Sequence, residues 1–280
     1  MNRCGLLTTR KFLFFLFVYS LWFMVISPQL STINSQPSTL NLTETKLAAI
    51  PEDYGGVTNI VFSANGQKVS YVVRKGEEEF VVIGNKAGKP YAHISSSVLL
   101  SGDGQRAAYS GRRGKKEYLV LDGAEGRPYD SIHPVRFSPD GRFFVSEVTD
   151  GGKYFVMVND KKGPRDDSCF MEPVFSPDSQ LVFYVLSSQA KGEMVCFISD
   201  TLTMKAKRTK TYKSVGEPGF SPDGWRFAYG ARKKGKYFLV LGDFALNKER
   251  EQSVGYEEIS TFVFSPDGKR LSYNALRQGK

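Results

Sequence analysis

The chain has 280 residues, 41% of them hydrophobic and 13% aromatic, which is ample for one large all-β domain. Three cysteines are too few for a disulfide framework. The formal net charge is +9, but Arg3, Arg10 and Lys11 fall in an acid-free leader, so the remainder carries a mild +6 that gives no reason to expect nucleic acid.

Residues 1–37 read as a signal peptide or signal anchor followed by a short linker. The three basic residues precede an apolar run from Phe12 to Ile26, broken only by Ser20 and extended by Leu30. Pro28 disfavours cleavage after Ser27, and Ile33-Asn34-Ser35 is a passable late site. The sequence therefore favours an uncleaved N-terminal hydrophobic helix with its positive flank in the cytoplasm. The expectation is a domain on the periplasmic side of the inner membrane, or a secreted or periplasmic one if the leader is removed. Asn41-Leu42-Thr43 matches a glycosylation sequon, which matters only in a eukaryotic secretory host.

Residues 38–280 are built on a repeat. A version of Phe-Ser-Pro-Asp-Gly begins at Phe62, Leu100, Phe137, Phe175, Phe220 and Phe264, with spacings of 38, 37, 38, 45 and 44 residues. Such a period means a solenoid, propeller or array of one supersecondary unit. Pro fixes the first central φ of a type I turn, Asp bonds local backbone, and Gly takes the left-handed position that follows. A short apolar strand precedes each turn, for example Asn59–Val61 and Thr261–Val263. A second strand follows, bearing Tyr71, Tyr109, Tyr184, Tyr229 or Tyr273, with Ser146 at that place in the third copy. After a polar tip comes a third strand such as Phe80–Ile83 or Phe238–Leu241, and then a fourth element ending in Tyr-x-x-(Ile/Val), as in Tyr91…Ile94 and Tyr129…Ile132. The weak copy is Asp166…Cys169, which places Cys169 at the end of a fourth strand; Cys196 lies within a third.

Four strands per unit is the blade of a β-propeller. Six first strands, six second strands and five third strands precede the end at Lys280, and Tyr54…Val57 reads as an orphan fourth strand with Thr39–Leu42 as a possible third. The expectation is an all-β, six-bladed, monomeric propeller of four-stranded antiparallel blades, its closing blade shared between the N- and C-terminal segments. The alternative is an open, truncated ring.

Candidate sites are few. Basic residues gather in the hairpins between second and third strands: Arg74, Lys75, Arg112, Arg113, Lys115, Lys116, Arg232, Lys233, Lys234 and Lys236. A propeller places these on one face and the turn aspartates, Asp103, Asp140, Asp178, Asp223 and Asp267, on the other. A basic face suits an acidic protein or another anionic macromolecule, whereas the bland reading is that Lys and Arg solubilise loop tips. His93 and His133 occupy different phases of the repeat, and no metalloprotease, nucleophile-elbow or C-x-x-C motif occurs. No cofactor is called for. Asn59, Glu172 and Glu217, each three residues before a repeat-opening Phe, form a possible Ca²⁺ site at the mouth of the central channel.

Runs such as Val135-Arg-Phe-Ser-Pro-Asp-Gly-Arg-Phe-Phe-Val145 and Phe264-Ser-Pro-Asp-Gly-Lys-Arg-Leu-Ser-Tyr273 resemble the WD-like propeller repeat of the TolB family, and a similar repeat occurs in prolyl-oligopeptidase-type propellers. The resemblance spans residues from about 54 to 275. Ala64-Asn65, Gly102 and Ser179 depart from the motif, and neither the N-terminal domain of TolB nor a peptidase domain has a counterpart here. The resemblance implies a propeller and, by analogy, a non-catalytic, membrane-tethered binding scaffold. The alternatives are a cation-dependent six-bladed hydrolase or lactonase with its site at the channel, and a fragment without independent function.

Overall fold

The computed structural model describes residues 54–277 apart from 96, 189, 245–247 and 252–253. The leader, the sequon, Thr39–Leu42 and Cys4 lie outside the described residues. Every named element is a β-strand, and no helix among the described residues is long and apolar enough to cross a membrane.

The repeat unit is the expected antiparallel meander. The first sheet consists of Gly55–Phe62, Val69–Lys75, Glu78–Ile83 and Lys86–Tyr91 in that order. The second has its first strand in two pieces, His93–Ile94 and Leu99–Leu100, followed by Ala107–Arg113, Lys116–Leu121 and Ala124–Tyr129. The third opens likewise with Ser131–Ile132 and Arg136–Phe137, then Phe144–Asp150, Lys153–Val158 and Lys161–Asp166. The fourth contains Ser168–Phe175, Leu181–Ser188, Glu193–Asp200 and Ala206–Tyr212. The fifth contains Ser214–Val215 with Gly219–Phe220, then Arg226–Lys233, Lys236–Asp243 and Lys248–Glu251. The last described sheet pairs Glu258–Phe264 with Leu271–Leu276. Two-residue hairpins fix the register between second and third strands: Asp150 pairs with Lys153 across Gly151-Gly152, both at positive φ, which matches the natural twist of the strands.

The turn that marks each repeat depends on its serine as much as on its aspartate. Ser101 donates its hydroxyl hydrogen to Asp103 Oδ1 at 2.6 Å and accepts the Arg106 N–H at 2.9 Å, while Asp103 Oδ1 accepts the Gln105 N–H at 3.0 Å. Ser138, Ser176, Ser221 and Ser265 repeat the arrangement with Asp140, Asp178, Asp223 and Asp267, and Ser63 does so with Asn65. Ser179 stands in the glycine position of the fourth turn, still at φ 64°, and its Oγ accepts the Asp140 N–H of the neighbouring turn at 3.1 Å.

The Tyr-x-x-(Ile/Val) motif straddles two sheets, which corrects its reading as the end of one fourth strand. Tyr91 ends the fourth strand of the first sheet, whereas Ile94 already pairs with Gly111 in the second. For the same reason Val57 lies in the first strand of the first sheet and Cys169 in the first strand of the fourth. First strands thus start earlier than the apolar pattern suggests. Their middle is irregular, with register shifts between Thr58 and Val61 and between Met171 and Val174, so alternation is lost where the sequence was searched for it.

Consecutive sheets pack face to face. Val72 and Val81 of the first sheet meet Val98, Tyr109 and Val120 of the second. Leu119 and Tyr129 meet Phe144 and Phe155; Val145 and Val156 meet Val182 and Tyr184; Phe183 and Cys196 meet Phe227 and Tyr229. Burial of each such aromatic is worth about 2–3 kcal/mol. Two devices set the approach. Tyr109 and Tyr184 direct their hydroxyls at Gly88 and Gly163 of the preceding sheet, where a Cβ would stand 2.7 Å from the oxygen. The third sheet has Ser146 instead, and a Cβ on the corresponding Gly126 would meet nothing nearer than the Leu119 carbonyl at 3.3 Å. In addition, Glu79 and Glu117 on third strands accept the Ile94 and Ile132 N–H groups of the following sheets, each at 2.7 Å.

Gly163→Ala is expected to lower stability by about 1–3 kcal/mol, and Gly126→Ala by clearly less, because only the former drives a methyl into a buried hydroxyl; urea midpoints compare them, and equal losses would contradict the interlock. Burial alone would raise the Glu117 pKa, but the Ile132 N–H and Arg112 outweigh it and hold the carboxyl below its ordinary 4.5. The folded-state value being lowered, its stabilisation is complete above 4.5 and fades as pH falls through the folded value. Glu117→Ala should therefore cost about 2–3 kcal/mol at pH 7, and the gap to the parent should shrink in urea titrations carried to strongly acidic pH.

Candidate functional site

Carboxylates from neighbouring strands and turns pair with half of the basic residues read from the hairpins. Arg74 pairs with Glu79 at 2.9 Å, Arg112 with Glu117 at 2.6 Å, Arg113 with Glu125 at 3.1 Å and Lys116 with Asp130 at 2.5 Å; Lys236 pairs with Glu257. Arg113 also lies over the Tyr91 and Tyr118 rings, which makes it part of the sheet contact rather than a displayed charge. Lys75 sits over the Tyr54 ring and Arg232 over Tyr237. Lys115, Lys233 and Lys234 form no ion pair among the described residues. The face is thus a mosaic with a positive edge at the hairpin of the fifth sheet, not a uniformly basic surface.

The more structured feature is a cavity of about 80 Å³ between the first strands of the third and fourth sheets, lined by His133, Pro134, Arg136, Val145, Glu147, Glu172 and Pro173. In the third sheet Ser146 replaces the tyrosine of the other second strands and donates its hydroxyl hydrogen to the His133 carbonyl at 2.8 Å. The next residue, Glu147, lines the cavity; the corresponding positions hold Val72, Ser110, Val185, Gly230 and Asn274. Glu147 borders the cavity, with the Cys169 thiol of the fourth sheet and His133 near enough to influence its carboxyl. Burial raises the Glu147 pKa; the Cys169 thiol and His133 oppose the rise and Glu172 adds to it. Burial, then the charge of Glu147, pushes the Cys169 thiol far above its ordinary range, so it is a poor nucleophile. Its S–H also reaches the Met171 and Val185 carbonyls at 3.5 Å.

The trio read from the sequence as a Ca²⁺ site is distributed differently. Glu172 borders the cavity, but Arg136 takes its carboxylate. Asn59 is an exposed residue at φ 52° in the irregular part of the first strand of the first sheet, and Glu217 is exposed in the fifth. Among the described residues no group of three or more His, Cys, Asp or Glu is placed to hold a metal ion. His133 joins the cavity, while His93 lies 3.1 Å from Glu79 at the junction of the first two sheets. Glu147, Cys169 and Arg136 escaped the sequence reading. The available signal was the single acid among the residues that follow the tyrosine position, directly after Ser146, which replaces that tyrosine in the third copy.

No family profile and no curated protein matches the chain. Among solved structures it is similar to TolB from Acinetobacter baumannii, with 14% identity and a TM-score of 0.37 over 76% of this chain and 58% of that one. It is also similar to the periplasmic gluconolactonase PpgL of Pseudomonas aeruginosa, with 14% identity and a TM-score of 0.37 over 85% and 82% of the two chains. A third, the Dos1 propeller, gives 14% identity and a TM-score of 0.41 over 86% and 69%. Overlaps this loose transfer no function to the chain.

Proposed function

We propose that the chain is a non-catalytic β-propeller that displays its loops and one inter-sheet cavity to a macromolecular partner, held to the membrane surface after export by the apolar segment at 12–30. The single observation that carries this reading is the stacking of consecutive four-stranded sheets face to face, which gives a rigid body that holds its loops in fixed positions. For the hydrolase alternative, the contact of Arg136 with Glu172 occupies one of the two carboxylates of the trio.

Closure into six blades completes the reading. Tyr54 precedes Val57 by the interval at which Tyr91 precedes Ile94, the step from a fourth strand to the first strand of the next sheet. That sheet has two strands among the described residues and exposes Val263 and Leu276 by 66% and 55%. Residues 38–53 would supply its outer strands. Deleting 38–53 should lower Tm by about 5–10 °C and broaden the transition, while deleting 1–37 should not; equal melts would refute the shared blade.

Affinity capture from membranes with the tagged full-length chain tests the scaffold itself. A discrete partner should be retained, and the combined change of Lys115, Arg232, Lys233 and Lys234 to Gln should reduce its recovery by about tenfold at low salt and less at high salt. Recovery that is identical for the two proteins at every salt concentration would remove the positive edge from the contact, and an empty capture would remove the scaffold reading.

A further inference from the structure

We propose that the cavity between the third and fourth sheets is a binding site for an alkylammonium group, received by the carboxylate of Glu147. The proposal deepens the scaffold reading by naming what the cavity recognises. Its first support is the placement of Glu147. An acid has been set into a sheet-to-sheet contact where the second and fourth sheets bury Ser110 and Val185 completely. A carboxylate in such a place is costly unless something neutralises it, and no Lys or Arg forms an ion pair with it among the described residues.

The second support is the charge distribution around it. The one cation bordering the cavity, Arg136, is held by Glu172, so that pair is internally balanced. The Cys169 thiol keeps its proton and contributes no charge. What remains is a half-buried carboxylate facing an open space, with the His133 imidazole beside it. The third support is shape. Pro134, Pro173 and Val145 give the cavity apolar walls, suited to the methylene stem of an amine whose charged end meets the carboxylate. The volume of about 80 Å³ admits a few non-hydrogen atoms and no bulky ring. The raised pKa of Glu147 agrees with a counter-ion that arrives from outside, since a bound cation would bring it down.

The same chemistry is offered by a free amine and by a lysine side chain of a partner. Titration calorimetry of the full-length chain at about pH 8, with n-butylammonium and with acetyl-Gly-Lys-Gly-amide up to about 50 mM, separates them. Saturable binding of either probe is expected, with no binding of n-butanol. The tripeptide binding more tightly by about tenfold points to a partner's lysine, and equal or tighter butylammonium points to a free amine. Glu147→Gln should weaken both by at least about tenfold while leaving the circular dichroism unchanged. Should that variant fold poorly, carboxyl-carbon NMR of the unaltered chain serves: the Glu147 titration midpoint must fall when butylammonium is added. Absence of saturation with both probes, undiminished binding by a folded Glu147→Gln, or an unmoved midpoint overturns the proposal. Partner capture is scored separately, so a chain that binds amines but captures nothing loses the scaffold reading and keeps the site.

Discussion

A four-stranded meander of Val, Phe and Tyr has two apolar faces, and water can cover neither of them cheaply. Packing each sheet between two others satisfies both faces at once, and most other features of this chain follow from that requirement. It dictates why the second strands are almost wholly buried, as in Leu181–Leu186. It accounts for the exposure of Ile60 and Phe62 in the first described sheet and of Val263 and Leu276 in the last. It also explains why charge accumulates at hairpin tips, the places that leave the stack.

Apolar contact alone does not fix a spacing or an angle, so polar devices finish the task. Glu79 and Glu117 each hold an N–H of the next sheet, and arginines beside them balance their charge. The serine of each turn joins its aspartate to the start of the second strand, which tightens the link between the strands on either side. These bonds join neighbours in a line, sheet to sheet, so rigidity is local and additive rather than concentrated in one core.

The fold was legible because its signal was repeated. Six copies of one turn and a recurring tyrosine sufficed to read strand order within a unit. Boundaries failed where one motif served two sheets: Tyr91 and Ile94 lie three residues apart but belong to different sheets, and nothing in their side chains announces the crossing. The basic hairpin residues were legible as composition, but their pairing was not, since Glu117 and Glu125 meet Arg112 and Arg113 from the adjacent strands of the same sheet or the next one along. The cavity was the least legible feature. Its acid, Glu147, is a difference between copies, which a search for similarity passes over.

The fit of a tyrosine hydroxyl against a glycine in the preceding sheet has a consequence for the history of the chain. Tyr109 with Gly88 and Tyr184 with Gly163 are pairs divided between two repeats. A repeat copied, deleted or transplanted alone would carry one half of such a pair into a neighbour lacking the other. The join between the second and third sheets, where Ser146 replaces the tyrosine and a Cβ on Gly126 would meet no side chain, is free of this dependence, and units of such an array can be exchanged there without mending both sides together.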